Sequence, residues 1–274
     1  MNTVEFTKND LINLKPDHET FVGIDSDGCV FDTMEIKQKQ CFHKLIVSHW
    51  HLEEIEKLLR QTAEFANLYS KTRGKNRFPC LVLTFDLLRN RKEIIASGIK
   101  VPELNSLRSF IASGVPLGNP SLEKRVNETG DSELTSVLEW SKAVNADIAK
   151  TVKNVPPFAW VKESLEKVQS NSDAICVSQT PSEALIREWR EHNLMAYVKV
   201  IAGQELGTKT EHLQLATKDR YNPDKILMIG DAPGDMKASK GVKGHFYPIN
   251  PAREAESWER FYKYLCSKST NRFV

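Results

Sequence analysis

No stretch of this 274-residue chain approaches the roughly 20 consecutive apolar residues that a membrane-spanning helix requires. The opening segment MNTVEFTKND has neither a basic leader region nor an apolar one, so no secretory leader is expected. A surplus of one charge is missing too. The 38 Lys and Arg nearly balance the 36 Asp and Glu, giving a formal net charge of +2, so neither a nucleic-acid nor a membrane partner is expected. Any anion must be bound locally. Cysteine is scarce, and Cys29, Cys41, Cys80, Cys176 and Cys266 are far apart, odd in number and without CxxC or His/Cys zinc spacing. Packing roles in a reducing, cytoplasmic compartment are the expectation. There is no fixed-period repeat and no low-complexity tract. The length suits two modest units better than one large domain.

What is present is a set of five short apolar or β-branched runs: FVGI at 21–24, AICV at 174–177, YVKVIA at 197–202, KILMI at 225–229 and GHFYPI at 244–249. Most are near-continuous apolar runs, as expected of strands covered on both faces of a parallel sheet. Segments of helical period separate them. Residues 182–193 follow Thr180-Pro181, placing Pro at the first helical position. Thr208 with Glu211 fits a capping box ahead of the next helix. Between 33 and 157 the alternation is lost and amphipathic patterns take over. Leu52, Ile55, Leu59 and Ala63 share one helical face, as do Leu134, Val137, Leu138, Ser141, Val144 and Ile148, and Asn119-Pro120 signals a further helix start. The expected fold class is α/β: a Rossmann-like parallel-sheet core at 21–32 and 158–274, a mostly α-helical insertion at 33–157, and an amino-terminal extension at 1–20 with no assigned role.

In an open parallel sheet the ligand crevice lies beyond the carboxyl ends of the strands. The first run ends in Asp25-Ser26-Asp27-Gly28, the second in Ser178-Gln179-Thr180, and the fourth in Gly230-Asp231-Ala232-Pro233-Gly234-Asp235; Lys209 stands at the mouth of the capped helix. Two carboxylates two residues apart repel one another and do nothing for folding, so Asp25 and Asp27 require either solvent or a task. A hydroxyl, an ammonium and a second acidic loop on the same rim supply one.

This ordered set, DSDG at 25–28, Ser178, Lys209 and GDAPGD at 230–235, resembles the four signature motifs of the haloacid dehalogenase-like superfamily of aspartate-dependent phosphotransferases. The helical stretch falls where that family inserts a cap of its first type. The resemblance implies a magnesium-dependent phosphohydrolase acting on a small phosphorylated metabolite beneath a lid. It makes Asp25 the nucleophile and catalytic Asp27 the acid and base. By the same resemblance, Asp25, Asp231 and the Asp27 backbone carbonyl would be the protein's metal ligands, with Asp235 in support; Ser178, with Gln179 beside it, would hold the transferring phosphoryl group, and Lys209 would neutralise it and orient Asp25. The chemistry asks for such a set: a dianion repels a carboxylate nucleophile until a hard cation lies between them. Two-residue spacing at a strand end sends the two carboxylates in different directions, and metal contact at one side chain only would separate their pKa values. Gly28 then turns the chain.

Asp27 also argues against carbon–halogen cleavage, because dehalogenase relatives lack a second aspartate there. A phosphonate hydrolase would need a Schiff-base lysine, for which Lys37 and Lys39 are the nearest candidates, and neither shows an apolar, pKa-lowering setting. A phosphomutase shares the whole motif set, and a non-catalytic binding protein on this fold would be expected to have lost Asp25 or Lys209. Asp32 and Thr33 fit local turn bonding. Ser26 stands where relatives carry a larger apolar residue. The basic segment 71–77 reads as a solvated face, or alternatively as a source of substrate-binding arginines, Arg73 and Arg77. His49 and His51, at i and i+2, do not share a helix face and suggest no metal site.

Overall fold

The computed structural model describes residues 5–267, and among these the side chains of residues 266 and 267, Cys266 included, lie outside the described set. Five strands form one sheet: β1 Phe21–Ile24, β2 Asp173–Val177, β3 Val200–Ala202, β4 Ile226–Gly230 and β5 His245–Pro248. Their order is β3-β2-β1-β4-β5 and every pairing is parallel. The α/β core expected from the near-continuous apolar runs is therefore present. β1 is the central strand, and β1 to β4 are buried throughout. Alternate residues face opposite layers, Val22 and Ile24 joining Trp189, Ile229, Trp258 and Phe261, while Phe21 joins Ile175, Val177, Leu213 and Met228. β5 is the partly exposed edge, and it ends in Pro248 where a missing donor costs least.

Several boundaries differ from the sequence expectation. The run at 197–202 is strand only from Val200, because Met195–Tyr197 forms a 3₁₀ turn. The helix after β2 is Ser182–Glu191, with Pro181 at its N-cap instead of its first turn. Asn119 opens the helix Asn119–Thr129, and Gly118 occupies the cap. The amino-terminal stretch is not a bystander. Its short helix Lys8–Ile12 buries Leu11 and, just beyond, Leu14 against the Phe21 and Leu213 layer, and Arg220 donates to the carbonyls of Ile12 and Leu11 at 2.6 and 3.2 Å. Two leucines in a polar segment were the signal.

The chain forms two compact units, Met1–Met34 with Asn154–Val274, and Glu35–Lys153. The second contains only helical elements among its described residues. Its core gathers Leu59, Phe78, Phe85, Leu107, Val137, Trp140 and Val144, so both helical faces read from the sequence point inward. Two π-helical turns, Lys37–Phe42 and Phe65–Tyr69, interrupt its helices.

Candidate active site

Register places the functional groups. Ile24 is level with Cys176 of β2 and Ile229 of β4, so Ser26, Ser178 and Asp231 each lie two residues beyond one rung. Asp25 continues the ladder for one more bond, its N–H donating to the Ile229 carbonyl at 2.9 Å. The chain then turns sharply. The Ser26 carbonyl accepts from Cys29, Val30 and Phe31, and Gly28 takes a left-handed φ of 76° that side chains disfavour. Ser26 itself is buried and accepts from the Trp189 indole at 3.0 Å, while Trp258 donates to the Cys29 carbonyl at 2.7 Å. The small hydroxyl residue is thus an anchor for the turn.

Asp25, Asp231 and Asp235 converge: one carboxylate oxygen from each lies within 4.8 Å of the others, and all three residues are buried. Gly230 makes room for this, because a Cβ there would stand 2.3 Å from the Asp235 carboxyl carbon. Lys209 reaches in from the first turn of its helix, 2.8 Å from Asp25 Oδ2 and 2.6 Å from Asp235 Oδ1. That helix starts as the sequence suggests, with Thr208 and Glu211 forming a capping box. Asp235 Oδ2 accepts from the Ala232 N–H, fixing the acidic loop.

Three buried carboxyl groups crowd together here, and Lys209 contacts two of them, Asp25 and Asp235. Burial, with the neighbouring charges of Asp235 and Asp231, pushes the Asp25 carboxyl well above the usual carboxylate range against the pull of Lys209. Burial would by itself lower Lys209, but Asp235 and Asp25 outweigh it and keep the ammonium protonated. Three oxygen donors gathered in one buried cluster suit a hard divalent cation.

The Asp27 side chain is not part of this trio. Its Oδ1 accepts a short hydrogen bond from the Thr33 hydroxyl, and its Oδ2 accepts from the Thr180 hydroxyl at 2.5 Å. Neither threonine stands out by spacing alone. The offset of Thr33 from Asp27 reads equally as turn bonding, and Thr180 is separated from Asp27 by 153 positions. Ser178 is buried and its hydroxyl accepts from the Thr180 N–H at 3.2 Å. The following helix begins only at Ser182, and Glu205 already accepts from the Ser182 N–H and hydroxyl. The Ser182 N–H at the start of that helix is thus already held by a carboxylate. Gln179 is exposed, and its amide donates to the Gly207 carbonyl at 2.9 Å, tying the β2 loop to the loop carrying Lys209.

Within the helical unit, the basic segment is not a uniformly solvated face. Arg73 is buried and donates to the Leu68 carbonyl at 3.0 Å. Arg77 donates to the carbonyl and hydroxyl of Ser141 at 3.1 and 3.0 Å, with its guanidinium over the Phe42 ring. Desolvation lowers Arg77 to about 10, a sign of how far it is enclosed. Lys39 is held by Glu35 at 2.6 Å, the hydrogen bond that dominates its raised pKa. That is the opposite of the lowered value a Schiff-base lysine needs. His49 pairs with Ser136 at 2.8 Å, and Cys29, Cys41, Cys80 and Cys176 are buried free thiols.

A family model described as haloacid dehalogenase-like hydrolase matches residues 112–247, spanning Ser178, Lys209, Asp231 and Asp235 but not Asp25 or Asp27. No curated protein matches. Solved structures similar to the chain include a haloacid dehalogenase-like family protein of Streptococcus pneumoniae, at 13% identity over 88% of this chain and 90% of that one, TM-score 0.43. Another is the HAD-type protein YfnB of Bacillus subtilis, bound to magnesium, at 11% identity over 91% and 100%, TM-score 0.49. A third, a "predicted phosphatase" of Clostridium acetobutylicum, is 13% identical over 92% and 100%, TM-score 0.45.

Proposed function

Because this chain is a haloacid dehalogenase-like hydrolase, we propose that it is a magnesium-dependent phosphohydrolase acting on a small phosphorylated metabolite through an aspartyl-phosphate at Asp25. One observation carries this reading: the buried convergence of Asp25, Asp231 and Asp235, with Lys209 bridging Asp25 and Asp235 and the Asp27 carboxyl oriented by hydroxyl donors outside that trio. A magnesium ion held by Asp25, Asp231 and the Asp27 carbonyl, with Asp235 in support, would supply charge neutralisation.

The protein's own groups do the rest. An Asp25 oxygen bonds to phosphorus as the ester oxygen leaves, and the leaving oxygen takes the proton of the Asp27 carboxyl. Water then attacks phosphorus, the Asp25–phosphorus bond breaks, and the proton of water returns to Asp27. Ser178 donates to a phosphoryl oxygen, and Lys209 keeps Asp25 oriented and balances the transferring charge. The unit Glu35–Lys153 has the part of the family's cap in this reading. Asp25→Asn should lower magnesium-dependent release of 4-nitrophenol from its phosphate ester by on the order of 10⁴-fold, the scale of losing a covalent nucleophile. Undiminished turnover in that variant would falsify the assignment.

A further inference from the structure

The Asp27 carboxylate is bracketed by hydroxyls from two distant parts of the α/β unit, Thr33 on Oδ1 and Thr180 on Oδ2. Both donors are fixed by their surroundings. Thr33 is fully buried at the start of the helix Thr33–Ile36. Thr180 donates its N–H to the Ser178 hydroxyl at 3.2 Å and accepts from the Gln204 N–H at 3.1 Å, locking the β2 loop around it. We propose that Thr180 and Thr33 are positioning residues that hold the Asp27 side chain away from the Asp25, Asp231 and Asp235 trio and in one rotamer for proton transfer to the leaving oxygen.

A hydroxyl can donate to or accept from a carboxyl group, so these two contacts can orient the Asp27 side chain whichever of its oxygens meets the leaving group. The two threonines also differ in what they tie Asp27 to. Thr180 belongs to the loop of Ser178, which would grip the phosphoryl group. Thr33 lies two residues before the chain enters the helical unit. The acid's orientation is thereby linked to both segments.

The inference rests on the reading of Asp27 as the acid and base, and leaving-group dependence separates the two. Nitrophenolate departs without a proton, whereas an alkoxide needs one. In kcat/KM, Thr180→Val should lose about 10- to 100-fold with an unactivated alkyl phosphate, the cost of misplacing a catalytic group, and less than about threefold with 4-nitrophenyl phosphate. Thr33→Val should show the same bias, and Thr180→Ser should restore most of the alkyl activity. Equal losses on both esters, or no loss on either, would overturn the positioning role while leaving Asp27 in place, provided Asp27→Asn itself shows the bias. An Asp27→Asn variant equally impaired on both esters would overturn the Asp27 reading and this inference with it. Thermal melts accompany each variant, and if Thr180→Val does not fold, Thr180→Ala and Thr33→Val carry the same comparison.

Discussion

The two ends of the same parallel sheet each bury an aspartate beside a lysine, and they put it to opposite use. At the amino end, Asp173 opens β2 and accepts from the Asp17 and His18 N–H groups at 2.9 and 3.0 Å, the Tyr221 hydroxyl at 2.8 Å and Lys199 at 2.5 Å. Burial there pushes the carboxyl up, but the bond from Lys199 and those from His18, Tyr221 and Asp17 overcome it and hold the group below its ordinary range. At the carboxyl end, Asp25 has Lys209 but also Asp231 and Asp235, and its carboxyl is driven up. A buried carboxylate with enough donors is structure. One buried against further carboxylates is held in a disfavoured charged form, which folding alone does not explain.

The largest expected break in this comparison comes from removing each aspartate in turn. Asp173→Asn should cost about 3 kcal/mol of stability in urea unfolding, because Lys199 and three further donors lose a charged acceptor, with turnover per folded molecule within about twofold of wild type. Asp25→Asn should leave stability equal or higher while abolishing turnover. A reversal of these two outcomes would show that the carboxyl-end cluster is the structural one. The next effect is about 2 to 3 kcal/mol. Magnesium added at about 100 times its Kd to chelator-treated protein should raise the Tm by that equivalent. Asp231→Asn should remove the rise, and Asp173→Asn should not. A Tm indifferent to magnesium in the wild type would remove the cation from the carboxyl-end site.

Much of this contrast is legible in the sequence, and the part that is not has a physical cause. The strands and the acidic groups at their ends announce themselves locally, since apolar runs and the DSDG and GDAPGD loops need only neighbouring residues to be recognised. Lys209 follows from its capping box. Thr180 and Asp173 are invisible by the same means. Their meaning depends on Asp27 and Tyr221, partners brought near only by sheet pairing. The basic segment 71–77 misleads for the converse reason: charge suggests water, but Phe42 and Ser141 approach from elsewhere in the sequence and enclose Arg77. Residues 5–20 read as polar and mixed because only Leu11, Leu14 and the partly buried Phe6 pack their apolar side chains into the core.

The smallest effect, and the most selective, is acid sensitivity at the amino end. Because the folded Asp173 pKa lies below that of the unfolded chain, the unfolded state binds more protons as pH falls, so its stabilising contribution is complete above about pH 4 and is lost below it. Two histidines act earlier with the same sign. Burial lowers His43 to about 3 and His212 to about 4, so each costs stability as pH falls below about 6.5, by at most about 1.4 kcal/mol per pH unit. Urea midpoints measured from about pH 7 to pH 3 should therefore fall in two stages in the wild type. Asp173→Asn should shift the whole curve down yet flatten only the second stage, because the histidines are untouched. A variant curve parallel to wild type below about pH 4 would mean that Asp173 titrates alike in the folded and unfolded chain. The donors around it would then be geometric neighbours without electrostatic effect, and the contrast with Asp25 would lose one of its two sides.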